Sequence, residues 1–194
     1  MGENKREIEI KLAIEDPPCV RRRLRAAGFR VHRGRVFESN TVFDTPDLKL
    51  RAASSLLRVR RAGSKSTFTF KGPPVPSKHK SREELEVEIS DAGLTSAIVE
   101  KLGLRPVFRY EKYRTEFRRP GSSGTVTLDE TPIGWYLELE GSDRWIDRTA
   151  RTLGFPERDY ITASYGALFL EWRARHGAKA ADMIFGPRQR PAKA

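Results

Sequence analysis

The chain has 194 residues, of which 32% are charged and 38% hydrophobic. That is long enough for one large domain with a real core, and it excludes a disordered chain and a membrane span. The net charge of +11 points to a polyanionic partner, namely nucleic acid, an anionic membrane or a phosphorylated small molecule.

The N-terminus "MGENKREIEI" carries no apolar signal-peptide core, and Arg6 stands where a myristoylation motif needs Ser or Thr. Cys19 is the single cysteine, so no internal disulfide can form, and a reducing cytoplasm is the expected compartment. "EIEIKLAI" alternates charged and apolar residues, which predicts a half-buried strand over roughly residues 6 to 15. "DPPCVRRRLRAAGF" reads as a helix with Asp16 as N-cap, prolines in its first turn and Gly28 near its stop. "RVHRGRVFESNTVFDT" is a long strand or strand pair, and "PDLKLRAAS" a turn with room for one helical turn. "SLLRVRRA" and "STFTFKG" are strands joined by the hairpin signal "GSK", and "PPVPSKH" is a Pro-rich loop.

"REELEVEI" is a further alternating strand, followed by a helix over "SDAGLTSAIVEKLG" capped by Ser90 or Asp91. "PVFRYEKYRTEFRR", "TVTLDE" and "WYLELEG" are strands, and "SDRWIDRTARTLGF" and "TASYGALFLEWRARHG" are closing helices. About eight strands with four helices, without βαβ alternation, predict an α+β fold: a mostly antiparallel barrel or strongly curved sheet. The basic runs "RRRLRAAGFR" and "GPRQRPAKA" read as a solvated helix face and a disordered end. No zinc spacing, basic zipper or RNP-type signature is present, so no specific nucleic-acid partner is expected, nor a membrane.

The polar faces of the strands repeat one scheme. They carry Glu7, Glu9 and Lys11; Arg58 and Arg60; Lys71; Arg82, Glu84, Glu86 and Glu88; Lys112, Arg114 and Glu116; Thr125, Thr127 and Asp129; and Glu138 and Glu140. The opposite faces are apolar and suit burial under helices. If such a sheet closes, carboxylates and cations crowd one lumen, which must then hold water, metal or a charged ligand. Metal-assisted polyphosphate chemistry uses both signs: carboxylates for a hard divalent cation such as Mg²⁺ or Mn²⁺, Arg and Lys for phosphoryl oxygens. No Ser–His or Cys–His pair, P-loop or Rossmann fingerprint is visible.

These residues resemble the CYTH superfamily, the triphosphate tunnel metalloenzymes that include CyaB-like and thiamine triphosphatase-like proteins. "EIEIK" resembles the family's ExExK signature. "FDTPDLKL…LLRVRR", "FTFKG", "REELEVEI", "EKYR", "TLDE" and "YLELEG" follow in the family's order, and "SY" of "TASYGALFLEW" resembles its C-terminal helix start. The likeness runs from about residue 5 to about residue 172. It implies an eight-stranded antiparallel β-barrel tunnel, with charged interior and helices packed outside, over 1–177, followed by a basic tail at 178–194. It also implies a metal-dependent hydrolase of inorganic, thiamine or nucleoside triphosphate, with inorganic triphosphate foremost. A class IV-type adenylyl cyclase and a non-catalytic polyphosphate or nucleic-acid binder are the alternatives.

By position, the resemblance makes Lys11, Arg58, Arg60, Lys71, Lys112 and Arg114 phosphate ligands. Glu7, Glu9, Glu138, Glu140 and Asp129 would hold metal, assisted by Glu86 or Glu88, and Glu7, Glu9 and Lys11 would serve catalysis. Ala163 stands where members often have Lys, and Val42 where they have Tyr. Lys78, His79 and Lys80 could act at the tunnel mouth. Asp44 reads as a turn residue, the three histidines share no ligand spacing, and the three tryptophans read as packing under helices. A monomer or homodimer is expected.

Overall fold

The computed structural model describes residues 3–190. The strands are β1 (Glu3–Ile14), β2 (Arg30–Asp44), β3 (Leu56–Ala62), β4 (Lys65–Lys71), β5 (Lys80–Ile89), β6 (Arg105–Arg118), β7 (Thr125–Thr131) and β8 (Gly134–Glu140). The helices are α1 (Pro17–Ala26), α2 (Lys49–Ala52), α3 (Ala92–Lys101), α4 (Asp143–Thr152) and α5 (Tyr165–His176). The strands close into a barrel in the order β1-β5-β4-β3-β2-β6-β7-β8, and every pairing is antiparallel. Closure pairs every strand on both sides and leaves only short unpaired stretches at strand ends. No helix among the described residues is long and apolar enough to cross a membrane.

Local chemistry explains the boundaries. Asp16 accepts a hydrogen bond from the Cys19 amide and starts α1, with prolines in its first turn. Asp91, rather than Ser90, caps α3 by accepting from the amides of Gly93 and Leu94. Ser164 caps α5, which ends at Gly177 in the left-handed region (φ 61°). The second stretch proves to be one continuous strand, with bulges near Val31, Arg33 and Val42. Asp44 is a buried turn residue: its carboxylate accepts from the amides of Thr45, Leu50 and Arg51 and so holds the one-turn α2 in place.

The apolar strand faces point outward, and most are covered, although Leu85 and Val87 of β5 stay exposed. Ile10, Leu12, Val126, Leu128, Leu137 and Leu139 are buried with Val20 and Leu24 of α1 and Ile146 and Ala150 of α4. Each fully buried leucine there contributes about 2 kcal/mol. Phe43 and Val59 pack with Val99 of α3. Trp135 and Trp145 pack against the first cluster, and Trp172 against a third around Tyr110, Tyr165, Phe169 and Met183. Gly124 is required by the closeness of Trp145, since a Cβ there would lie 2.4 Å from the indole.

One expectation needs correction. The basic end does not hang loose through residue 190. β6 pairs with β7 only from Tyr113 onward, which leaves the edge at Arg109–Glu111 open. The C-terminal segment fills it: the Met183 amide donates to Arg109 O and the Glu111 amide to Met183 O, both at 2.9 Å. Met183 and Phe185 are buried there, and Glu111 accepts from the Phe185 amide and from Arg190. Two apolar side chains in a basic stretch are a weak sequence signal, yet they suffice to dock it against an unpaired strand edge. Residues 191–194 of the expected tail lie outside the described residues.

Candidate active site

Because side chains alternate along each strand, the charged faces all turn into the barrel once the apolar faces turn out. Register then decides the neighbours. Glu9 lies opposite Lys80 on β5 and Glu140 on β8, and Lys11 opposite Glu138. Lys71 faces Glu84, Arg60 faces Asn40, Glu38 faces Lys112 and Arg114 faces Asp129. The lumen is a cavity of about 1250 Å³, lined among others by Glu7, Glu9, Lys11, Arg58, Lys71 and Glu138. Its lining also includes Glu86, Glu88, Leu48, Arg105 and Leu170.

The carboxylates and cations are paired across the lumen. Lys71 Nζ lies 2.6 Å from both oxygens of Glu7, and Arg82 Nε 3.4 Å from one of them. Glu9 Oε1 receives both Lys11 and Lys80, each at 3.1 Å. Burial works to raise the Glu9 pKa, but Lys11 and Lys80 outweigh it and hold the carboxyl far below the usual range. Burial likewise opposes the charge on Lys11, yet Glu9 and Glu138 keep it firmly protonated. Lys80 is different: burial, and then the charge of Lys11, push its pKa down to about 8 against the pull of Glu9.

Asp129 is fully buried and saturated. Its oxygens accept from Lys112 Nζ (2.8 Å), Arg114 Nε (2.7 Å), the second Arg114 nitrogen (2.6 Å) and the Tyr165 hydroxyl (2.7 Å). Arg114 also meets Glu138. Burial opposes the Glu138 charge, but Arg114, Lys112 and Lys11 together keep it ionised well below the ordinary range. Arg58 donates to the Tyr110 hydroxyl (3.0 Å) and to Thr69 (3.3 Å). Burial pushes the Tyr110 phenol up, and the surrounding Arg58, Arg60 and Lys112 bring it down to about 8. α5 sets Tyr165 with its ring 5.3 Å from Lys11 Nζ and 5.0 Å from Lys112 Nζ.

The fold therefore brings Glu7, Glu9, Lys11, Arg58, Arg60, Lys71, Lys112, Arg114, Asp129, Glu138 and Glu140 onto one lumen wall. Glu86 stands at the rim, where it accepts from Thr69 at 2.7 Å. Glu88 is the outlier: its side chain is 64% exposed and pairs with Lys65. Of Lys78, His79 and Lys80, only Lys80 lines the lumen. His79 is buried outside it between Asp147 (2.8 Å) and Tyr160, and Lys78 bridges Asp147 and Glu157.

Sequence reasoning placed Lys80 only at the tunnel mouth and missed Glu38, Asn40, Tyr110 and Tyr165 as site residues. Lys80 and Tyr110 extend period-two rows of the charged motifs: 80 precedes 82, 84 and 86, and 110 precedes 112 and 114.

Three or more His, Cys, Asp or Glu side chains do not converge into a ready metal cluster among the described residues. The donor chemistry still fits a hard divalent cation. Glu9 and Glu140 are register partners, Glu138 is the next inward residue of β8, and all offer carboxylate oxygens. Both oxygens of Asp129 are occupied by Lys112, Arg114 and Tyr165.

Comparison with known proteins agrees with this geometry. The chain matches the CYTH domain over residues 5–165. A Methanocaldococcus jannaschii protein provisionally named an adenylate cyclase is 32% identical over 136 residues, covering 70% of this chain and 77% of the relative. A Vibrio parahaemolyticus structure, also provisionally named an adenylate cyclase, superposes with a TM-score of 0.75 at 19% identity, covering 87% of this chain and 99% of that one. A Pyrococcus horikoshii protein gives 0.72 at 25% identity, covering 85% and 98%. A Hippeastrum protein provisionally named an adenylyl cyclase, and described as revealing a dominant triphosphatase activity, gives 0.64 at 22%, covering 95% and 100%. With its closed tunnel, its paired lumen charges and these matches, the chain belongs to the CYTH domain family.

Proposed function

We propose that this protein is a divalent metal-dependent hydrolase of a triphosphate, with inorganic triphosphate as the first substrate to test. The observation that carries the reading is the lumen itself: six Lys and Arg side chains, Lys11, Arg58, Arg60, Lys71, Lys112 and Arg114, converge in one cavity together with carboxylates. Such a density of cations suits several phosphoryl groups in a row, and the carboxylates would repel them unless a cation intervened. The activity printed for the Hippeastrum protein supports the same class.

In this reading Arg58 and Arg60 hold one end of the polyphosphate and Lys11, Lys71, Lys112 and Arg114 the rest. Asp129 anchors Lys112 and Arg114 in position instead of binding metal. Glu9, Glu138 and Glu140 would hold the Mg²⁺ or Mn²⁺, with Glu7 beside them. The bound cation supplies neutralisation of charge on the phosphoryl oxygens and leaving group. Glu7 and Glu9 accept hydrogen bonds from the attacking water and aim it at the terminal phosphorus. The new bond is from water oxygen to phosphorus, the bridging P–O bond breaks, and diphosphate leaves with its electron pair. In the empty tunnel Lys11 and Lys80 hold Glu9 ionised against its burial, and the water's proton would pass to the departing phosphates or to solvent.

The provisional name of the Methanocaldococcus jannaschii relative favours a second reading, cyclisation of ATP. One experiment separates them: inorganic triphosphate, thiamine triphosphate and ATP are each incubated with Mg²⁺ or Mn²⁺, with and without EDTA. Phosphate release abolished by EDTA supports the hydrolase, and cyclic AMP from ATP supports the cyclase. Salt-sensitive binding that ignores metal, with no product, would replace both with a polyanion binder.

A further inference from the structure

Glu38 has no part in the roles above, yet it is among the most deeply placed charges in the barrel. It is 4% exposed and stands behind Arg60, Lys112 and Arg114, which do line the cavity. Its Oε2 lies 3.7 Å from both Arg60 Nε and Lys112 Nζ. Both distances are too long for hydrogen bonds, and Oε2 has no hydrogen-bond partner among the described residues. The two cations are oriented by other groups: Arg60 Nε donates to Asn40 Oδ1 at 3.0 Å, and Lys112 Nζ to Asp129 at 2.8 Å. Burial works against the Glu38 charge, but Arg60, Lys112 and Arg114 overcome it and set the carboxyl at about 2. Glu38 thus supplies charge to this part of the wall without supplying orientation.

We propose that Glu38 is an internal counter-ion that competes with the phosphoryl groups of the substrate for Arg60 and Lys112, and so limits how tightly polyphosphate is held. This rests on the triphosphate reading. In the empty tunnel the Glu38 charge offsets three crowded cations. When a polyanion arrives, that carboxylate draws on the same cations and repels the ligand through a short, poorly screened distance. A metal-ligand role is disfavoured because the groups nearest its free oxygen are cations. A positioning role is disfavoured because no hydrogen bond ties it to either cation.

The test has a sign that the competing roles do not share. Calorimetric binding of inorganic triphosphate, with and without Mg²⁺, is measured on wild type, Glu38→Gln and Asn40→Ala. Glu38→Gln keeps the volume, removes the charge and is expected to bind about tenfold more tightly in both conditions. Asn40→Ala, which removes an orienting group, is expected to bind more weakly. Because the empty Glu38→Gln lumen loses a counter-charge, its melting temperature falls, and triphosphate raises it by more than in wild type. Should the empty variant be too unstable for calorimetry, the triphosphate concentration giving the half-maximal rise in melting temperature reads the same affinity. Glu38→Asp, with a shorter reach towards both cations, is expected to bind at least as tightly as wild type. Equal or weaker binding by Glu38→Gln, or weakening seen only with Mg²⁺, overturns the counter-ion role and leaves the triphosphate reading intact. A wild-type protein that does not bind triphosphate overturns both.

Discussion

Lys11 and Lys80 share a single carboxylate oxygen: each places its Nζ 3.1 Å from Glu9 Oε1. Two lysines from β1 and β5 thus draw on one buried charge, with Glu138 at 3.4 Å as a second partner for Lys11. Glu9→Gln is expected to abolish turnover. It is also expected to reduce unfolding free energy by about 3 kcal/mol, because both ammonium groups remain buried with less to offset them. Urea unfolding checks the second effect. Replacing Lys80 by Met in the same chain should restore much of the loss by removing the lysine–lysine repulsion.

The depressed pKa values of Lys80 and Tyr110 give stability a defined pH dependence. Lys80 falls from 10.5 to about 8 on folding and Tyr110 from 10.0 to about 8. Between these limits the unfolded chain binds more protons than the folded one, so stability rises as pH climbs from about 8 to about 10 and is lost as pH falls through 8. Lys11 shifts upward and stays protonated across this window, so it does not reverse the sign. Urea midpoints at about pH 7.5 and about pH 9.5 measure the rise, and Lys80→Met should flatten it. A bound polyanion raises both pKa values again. Triphosphate binding at about pH 8.5 is therefore expected to take up protons, read by calorimetry in two buffers of different ionisation heat.

Arg58 is buried and presents its guanidinium to Tyr110, Thr69 and, at 3.6 Å, Glu86. If it grips one terminal phosphoryl group of a three-unit chain, a shorter ligand held at the other end will not need it. Arg58→Ala should weaken triphosphate binding about a hundredfold and diphosphate binding much less. Competition binding with the two ligands is the measurement, and equal losses would contradict recognition of several phosphates in line.

The docked C-terminal segment carries a prediction of stability. Met183 is fully buried between Tyr110, Tyr165 and Phe169 and bonds to both Arg109 and Glu111 through its backbone. Met183→Ala is expected to lower unfolding free energy by about 3 kcal/mol. Because Tyr110 bonds to Arg58 in the lumen, triphosphate affinity should fall with it. Denaturant titration and binding on the same variant test the link, and an unchanged affinity would confine the segment to a structural role.

How far the sequence reaches can be judged from individual residues. Glu7, Glu9 and Lys11 alternate strictly with Ile8, Ile10 and Leu12, and the same alternation recurs around Arg58, Glu86, Arg114 and Glu138. A side-chain period of two is a local property, so the charged face of each strand could be read directly. Asp16 and Gly63 likewise marked a helix start and a hairpin by chemistry that acts within a few residues. Glu38 and Asn40 lie in the regularly paired stretch of β2 from Val36 to Val42, but one Glu and one Asn followed by Val42 do not make a charged row. Lys80 was placed only at the tunnel mouth because it ends a Pro-rich loop, and Tyr110 was hidden because a phenol does not announce itself as part of a charged row.

Local pattern alone therefore determined the strands, their two faces and the kinds of side chain on each, together with the family likeness. Which carboxylate meets which cation was decided only by closure and register. Lys71 reaches Glu7 across 64 positions of sequence and Lys80 reaches Glu9 across 71. Docking of Met183 into the open edge of β6 was decided the same way. These contacts depend on where each strand sits relative to its neighbours, and a shift of one residue would have turned every one of them to the opposite face.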